Sequence, residues 1–106
     1  MTDNTTTSKY AGKDTKSVKY NVPRAEALNA EWSGKHPLPN IGDKVNCIMN
    51  RIGEGIVVAY FTSDDGHKWY AGVEIKVLNP PEWYLKQNGR DAQALVFGRE
   101  IERIND

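Results

Sequence analysis

The chain has 106 residues, 39% of them apolar, and its 14 basic and 14 acidic side chains cancel to zero net charge. These numbers exclude a highly charged disordered chain and a globally basic nucleic-acid binder, and no window holds the roughly 20 apolar residues of a membrane helix. A single cysteine, Cys47, excludes an internally disulfide-stapled miniprotein.

Residues 1–22 carry four lysines and two aspartates, a local net charge of +2. Their Thr- and Lys-rich start cannot bury enough apolar surface to offset the entropy of ordering, so 1–16 is expected to be a disordered tail. It has no apolar h-region of a signal peptide. With a free thiol at Cys47, that makes the cytoplasm the expected compartment. Residues 17–40 read as an N-terminal arm with one short helix. In Ser17–Val22, Val18, Tyr20 and Val22 alternate as on an edge strand. Pro23 then opens a helix, since proline fits the first turn. Leu28 and Trp32, spaced i and i+4 with Ala25 beside them, are its expected docking residues. Gly34, Pro37 and Pro39 end it.

From Ile41 the period changes to two. Lys44–Ile52 places Val45, Cys47 and Met49 on one face, and Gly53-Glu54-Gly55 signals a turn. Ile56–Thr62 is almost continuously apolar, as in a strand covered on both faces. Asp64-Asp65-Gly66 supplies a tight hairpin turn. Trp69–Val77 alternates, with Trp69, Ala71, Val73, Ile75 and Val77 on one side and Tyr70, Glu74 and Lys76 on the other. Asn79 as N-cap, Pro80 and Pro81 in the first turn and then Glu82 announce a short helix over 80–88, stopped by Gly89. Ala92–Phe97, a tight turn at Gly98–Glu100 and Ile101–Ile104 complete the pattern. Residues 41–106 are thus expected to form a mainly β, five-stranded SH3-like barrel with a helical insert between strands 3 and 4, since so short a sheet hides its edges by curling.

Gly42-Asp43-Lys44-Val45, the run Gly55–Tyr60, Tyr70-Ala71 and Ile101-Glu102-Arg103-Ile104 resemble the plasmid-encoded type II dihydrofolate reductases over about the last 60 residues. The resemblance implies an SH3-like barrel, a disordered N-terminal tail and assembly as a homo-oligomer around a pore. The pore glutamine and tyrosine of that family fall here on Ala94 and Val96, and Gln93 is one residue off, which turns it to the other face. The resemblance therefore supports the barrel and argues against reductase activity. Pro80–Ile101 also resembles small uncharacterised proteins of tailed phages, which implies an accessory or inhibitory protein acting on a host factor.

No catalytic or cofactor motif is present. His36, His67 and Cys47 lack metal-ligand spacing, so neither metal nor cofactor is expected. Asp64 and Asp65 are adjacent in a turn, where aspartate binds local backbone N–H groups. Cys47 lies on an apolar face as a small core residue. Glycines 53 and 55 lack the following helix of a phosphate cradle. The aromatics that the barrel core does not explain are Tyr70 on an outer face and Trp83 and Tyr84 on the insert. With Lys68, Lys86 and Arg90 they form the candidate site, suited to a protein partner. A nucleic-acid-binding barrel is the alternative, supported by the same aromatic and basic residues. Self-association is a third use of the exposed aromatics.

Overall fold

The computed structural model describes residues 5–6, 17–89 and 93–104. Seven strands alternate with short helical pieces: β1 (Thr5–Thr6), β2 (Ser17–Val22), α1 (Arg24–Asn29), β3 (Lys44–Cys47), β4 (Gly53–Asp64), β5 (Trp69–Val77), α2 (Glu82–Asn88), β6 (Gln93–Phe97) and β7 (Ile101–Arg103). The domain is mainly β and its strands form one antiparallel sheet. Within 1–16, only Thr5–Thr6 is described, paired with Val18 and Lys19 of β2. The rest of the expected tail lies outside the described residues.

The twelve residues of β4 form the spine. Their first half pairs with β3, from Cys47↔Gly53 to Lys44↔Ile56, and their second half with β2, from Val22↔Tyr60 to Ser17↔Asp64. β5 runs along the whole opposite edge. Such a strand must bend to serve two neighbours on one edge, and the register shift between Val57 and Ala59 marks the bulge where it does so. β6 adds to β5 and β7 to β3. The sheet does not close: β6 and β7 pair with different strands, and the 3₁₀ turn Gly98–Glu100 joins them. In that turn the Glu100 carboxylate accepts the Phe97 N–H at 2.7 Å, a donor that a closing strand would otherwise take.

The main core lies on one face of the sheet. Val45, Cys47, Val57, Val73, Ile75, Val96 and Ile101 form its centre, and Tyr60, Val77, Tyr84 and Ala94 extend it. The alternation read for Trp69–Val77 holds at Ala71, Val73, Ile75 and Val77, which are buried, while Trp69 is only partly so. Phe61 and Val18 are buried outside this cluster. They sit on the opposite face of the sheet, where Phe61 packs edge-on against Phe97 with ring centroids 5.3 Å apart.

Three local expectations are corrected. A bulge at Asn21, whose φ is 54°, shifts the register between Tyr20 and Val22. Val22 therefore joins the main core while Val18 does not. The helix ends at Asn29, so Leu28 and Trp32 never share a face. Ala27 docks from the helix and Leu28 is 58% exposed, while Trp32, beyond the helix end, packs partly buried against the core as expected. The backbone supplies the reason: Glu31 donates to Trp69 O at 2.9 Å and accepts from Ala71 N at 2.7 Å, which draws the chain onto the edge of β5. The turn expected at Gly53-Glu54-Gly55 occurs earlier, at Met49–Arg51, and β4 begins at Gly53.

The hairpin turn follows the sequence reading. Asp64 accepts the Gly66 N–H at 2.8 Å, and Asp65 accepts those of His67 and Lys68 at 2.8 and 3.0 Å. These carboxylates serve the turn. The Lys68 and His67 amides hold the Asp65 carboxyl below its ordinary range. Any stability from Asp65 is therefore fully present above the ordinary aspartate range and is lost as pH falls through the lowered folded value.

Glu74, opposite Leu95 on β6, has the reverse sign, because burial pushes its carboxyl up. The folded state then holds a proton that the unfolded chain releases at the same pH. The contribution of Glu74 is most favourable below the ordinary glutamate range and is lost as pH rises through the raised folded value. Glu74→Gln is expected to raise the urea midpoint at pH 7 and to leave it nearly unchanged at about pH 3.5. Paired denaturation curves at the two pH values check this.

Candidate functional site

The insert helix decides which aromatic is available. Pro81, not Asn79, is the N-cap of α2, and no side chain caps it. Gly89, with φ at 87°, ends the helix. This phase turns Tyr84 inward, 6% exposed, and Trp83 outward, 40% exposed. The two rings meet edge-on at 5.6 Å. The expectation that Tyr84 contacts a partner is therefore corrected: its ring belongs to the core, because the helix starts two residues later than the Asn79 cap implied.

Opposite Trp83 lies the turn Met49–Arg51. It closes with the Ile52 N–H on Met49 O at 3.2 Å, as a 3₁₀ turn does. Yet Asn50 and Arg51 have φ of 53° and 58°, the left-handed region. Asparagine tolerates this conformation, whereas arginine carries the Cβ clash that costs roughly 1 kcal/mol or more. Asn50, Arg51, Trp83 and Gln87 line one shallow depression. Ile48, just before the turn, is 49% exposed. Of the seven large hydrophobic side chains exposed among the described residues, Ile48, Leu78, Trp83 and Leu85 belong to this turn and the insert. Leu78 is tied to the same end by its N–H on Glu54 O at 3.0 Å.

The other expected site residues do not join this surface. Tyr70 is half-buried, and Lys68 sits 5.9 Å from its ring centroid and 3.9 Å from the Glu31 carboxylate. Val77 lies seven positions beyond Tyr70 on β5, a run of roughly 23 Å at strand spacing. The Lys68–Tyr70 pair and the insert are thus at opposite ends of the strand. Lys86 pairs with Glu82 at 3.4 Å, one helical turn away. Arg90 lies outside the described residues. The sequence reading missed Ile48, Asn50 and Arg51. Only Asn50 offered a signal, as a residue that favours positive φ, and the alternation of Val45, Cys47 and Met49 masked it.

Chemistry at the remaining candidates is structural. Cys47 is buried, its Sγ is 3.9 Å from Met49 O, and burial raises its thiol above the ordinary range, which keeps it protonated and unreactive. Both ring nitrogens of His36 face carbonyl oxygens, of Pro37 at 3.0 Å and of Ile101 at 3.3 Å. No group of three or more His, Cys, Asp or Glu side chains among the described residues is placed to hold a metal ion. No helix among them is long and apolar enough to cross a membrane. Comparison with protein-family models, with curated proteins and with solved structures gave no match.

Proposed function

We propose that this chain is a non-catalytic recognition module of SH3-like barrel type that binds a protein partner through the Trp83 end of the sheet. The supporting observation is a 40% exposed Trp83 that shares one shallow depression with Asn50, Gln87 and a left-handed Arg51. A half-exposed tryptophan bordered by arginine is the composition of interface hot spots, and backbone strain collects where function maintains it. The barrel reading draws on the strand neighbours β7-β3-β4-β5-β6 and the bend in β4. Ala94 and Val96, at the positions of the reductase family's pore residues, are buried, which favours recognition over that chemistry. Nucleic acid is the weaker reading, because Lys68 and Lys86 each stand within 4 Å of a carboxylate. The resemblance of the insert region to tailed-phage proteins makes a host protein the first partner to look for.

Two variants test the reading together. Trp83→Ala is expected to weaken partner capture by about 30-fold or more, the scale of a hot-spot loss, while costing roughly 1–2 kcal/mol of stability for the part of the ring that packs on Tyr84, so that the chain stays folded in the capture assay. Arg51→Gly is expected to stabilise the fold by roughly 1 kcal/mol through relief of the left-handed strain, and to weaken capture as well. Quantitative pull-downs beside urea denaturation measure both quantities. Capture that survives Trp83→Ala unchanged would remove the proposed surface.

A further inference from the structure

A second feature lies away from the Trp83 surface and does not depend on it. The loop at Pro37–Asn40, the start of β3 and the end of β7 enclose a cavity of about 360 Å³, within the range of small-molecule sites. Its wall carries Arg24, Lys44 and Arg103 against a single carboxylate, Asp43. Asp43 Oδ2 accepts the Asn40 N–H at 2.8 Å, which turns the carboxylate toward the loop backbone but leaves its charge in place, so the three basic side chains still outnumber it. Lys44 is 3.4 Å from Glu54 and is largely offset. Neither arginine has a carboxylate partner among the described residues.

Arg24 is held in place. Its Nη1 donates to Pro39 O at 2.8 Å and to the Tyr60 hydroxyl, and its Nη2 donates to Leu38 O at 3.0 Å. The Tyr60 hydroxyl in turn donates to Pro39 O at 2.7 Å. Three of the five guanidinium donors are thus spent on neutral oxygens, which fix the plane but leave the charge uncompensated. Two donors, Nε–H and one on Nη2, have no hydrogen-bond partner among the described residues. A half-buried, pre-oriented guanidinium with two donors to spare, in a cavity whose wall also carries the exposed Arg103, matches the tetrahedral oxygens of a phosphoryl group. Leu38, Val45 and Ile104 supply apolar wall for an organic body attached to it.

We infer that this cavity binds the phosphoryl group of a small phosphorylated molecule, with Arg24 and Arg103 as its ligands. The test is an amide chemical-shift titration of the full chain at constant ionic strength. The probes are inorganic phosphate, a nucleoside monophosphate, citrate and a single-stranded oligonucleotide. Saturable shifts are expected at Leu38, Asn40, Val45 and Ile104 with phosphate, and at lower concentration with the nucleotide. Arg24 variants would confound folding with binding, since Arg24 also ties the loop to Tyr60. Arg103→Gln is therefore the informative variant, expected to weaken binding about tenfold with the spectrum otherwise preserved. Lys44→Gln is expected to have a smaller effect in the same direction. The inference is overturned by citrate binding as tightly as the nucleotide, by oligonucleotide binding alone, by shifts that spread over surface lysines without saturating, or by unchanged affinity in Arg103→Gln.

Discussion

Gly72→Ala is expected to destabilise the domain by about 3 kcal/mol, the upper end of the range for over-packed cores. In a strand, exchanging glycine for alanine ordinarily helps, because it lowers the entropy of the unfolded chain by something like 0.5–1 kcal/mol. Here the sign reverses. The new Cβ would clash with Cζ and Cε1 of the Phe61 ring and lie 2.7 Å from Val96 O. Val96 O belongs to the β5–β6 ladder, where Val73 pairs with Val96, and cannot retreat without breaking it. The ring cannot retreat either, because Phe61 is 1% exposed and packs on Phe97. Urea denaturation measures the loss. A second substitution, Phe61→Leu, should cost less in the Gly72→Ala background than alone, because the two changes relieve each other. A neutral or stabilising Gly72→Ala would mean that Phe61 does not lie over β5.

Gly98→Ala is expected to have an effect of similar size, but located between the arm and the sheet. Its Cβ would collide with the Gly34 backbone nitrogen and lie 2.8 Å from Gly34 Cα and 2.9 Å from the Trp32 ring. Backbone cannot yield as a flexible side chain does. The 31–36 segment therefore has to lift. Lifting strains the two bonds that tie the segment to the sheet and its last turn, Ala71 N–H to Glu31 O at 2.7 Å and Arg99 N–H to Ser33 Oγ at 3.2 Å. A loss of roughly 2–4 kcal/mol follows from the overpacking and the strained bonds. Amide exchange separates this from global unfolding: Ala71 should lose protection while Val73, deeper in the same strand, keeps it. Equal loss at both residues would show that the arm and sheet open as one unit.

The body of the fold was legible because its strands follow simple alternation. Val73 and Ile75 read as inward residues and are buried. The Asp65-Gly66 turn forms as its chemistry dictates. What escaped was every departure from period. The bulge at Asn21 moves Val22 into a different core from Val18, and no composition signal announces a one-residue slip. Helix α1 stops at Asn29 because Glu31 finds a partner in β5, a tertiary bond between residues 40 positions apart in sequence. Periodicity inside the helix is blind to it.

The site was legible only in part, for the same reason. Trp83 and Tyr84 are neighbours, so a small change in where the helix begins decides which of them faces solvent. The choice of Pro81 as cap exposes Trp83. Tyr70 and Lys68 looked like companions of the insert because they share its aromatic and basic chemistry, yet the length of β5 holds them at the far end. Arg51 gave no sign of its left-handed backbone, since arginine is not a residue that favours it. The Arg24 cavity is assembled from the arm, the loop at 37–40 and the last strand, which only the folded chain brings together.

The most direct test of the recognition surface is site-specific photo-crosslinking in cells, with a photoreactive phenylalanine analogue placed at position 87, which lines the depression beside an intact Trp83, in one variant and at position 70 in another. The Trp83 surface predicts a discrete protein adduct from position 87 and none from position 70. An adduct from position 70 alone, or no adduct from either, would contradict it.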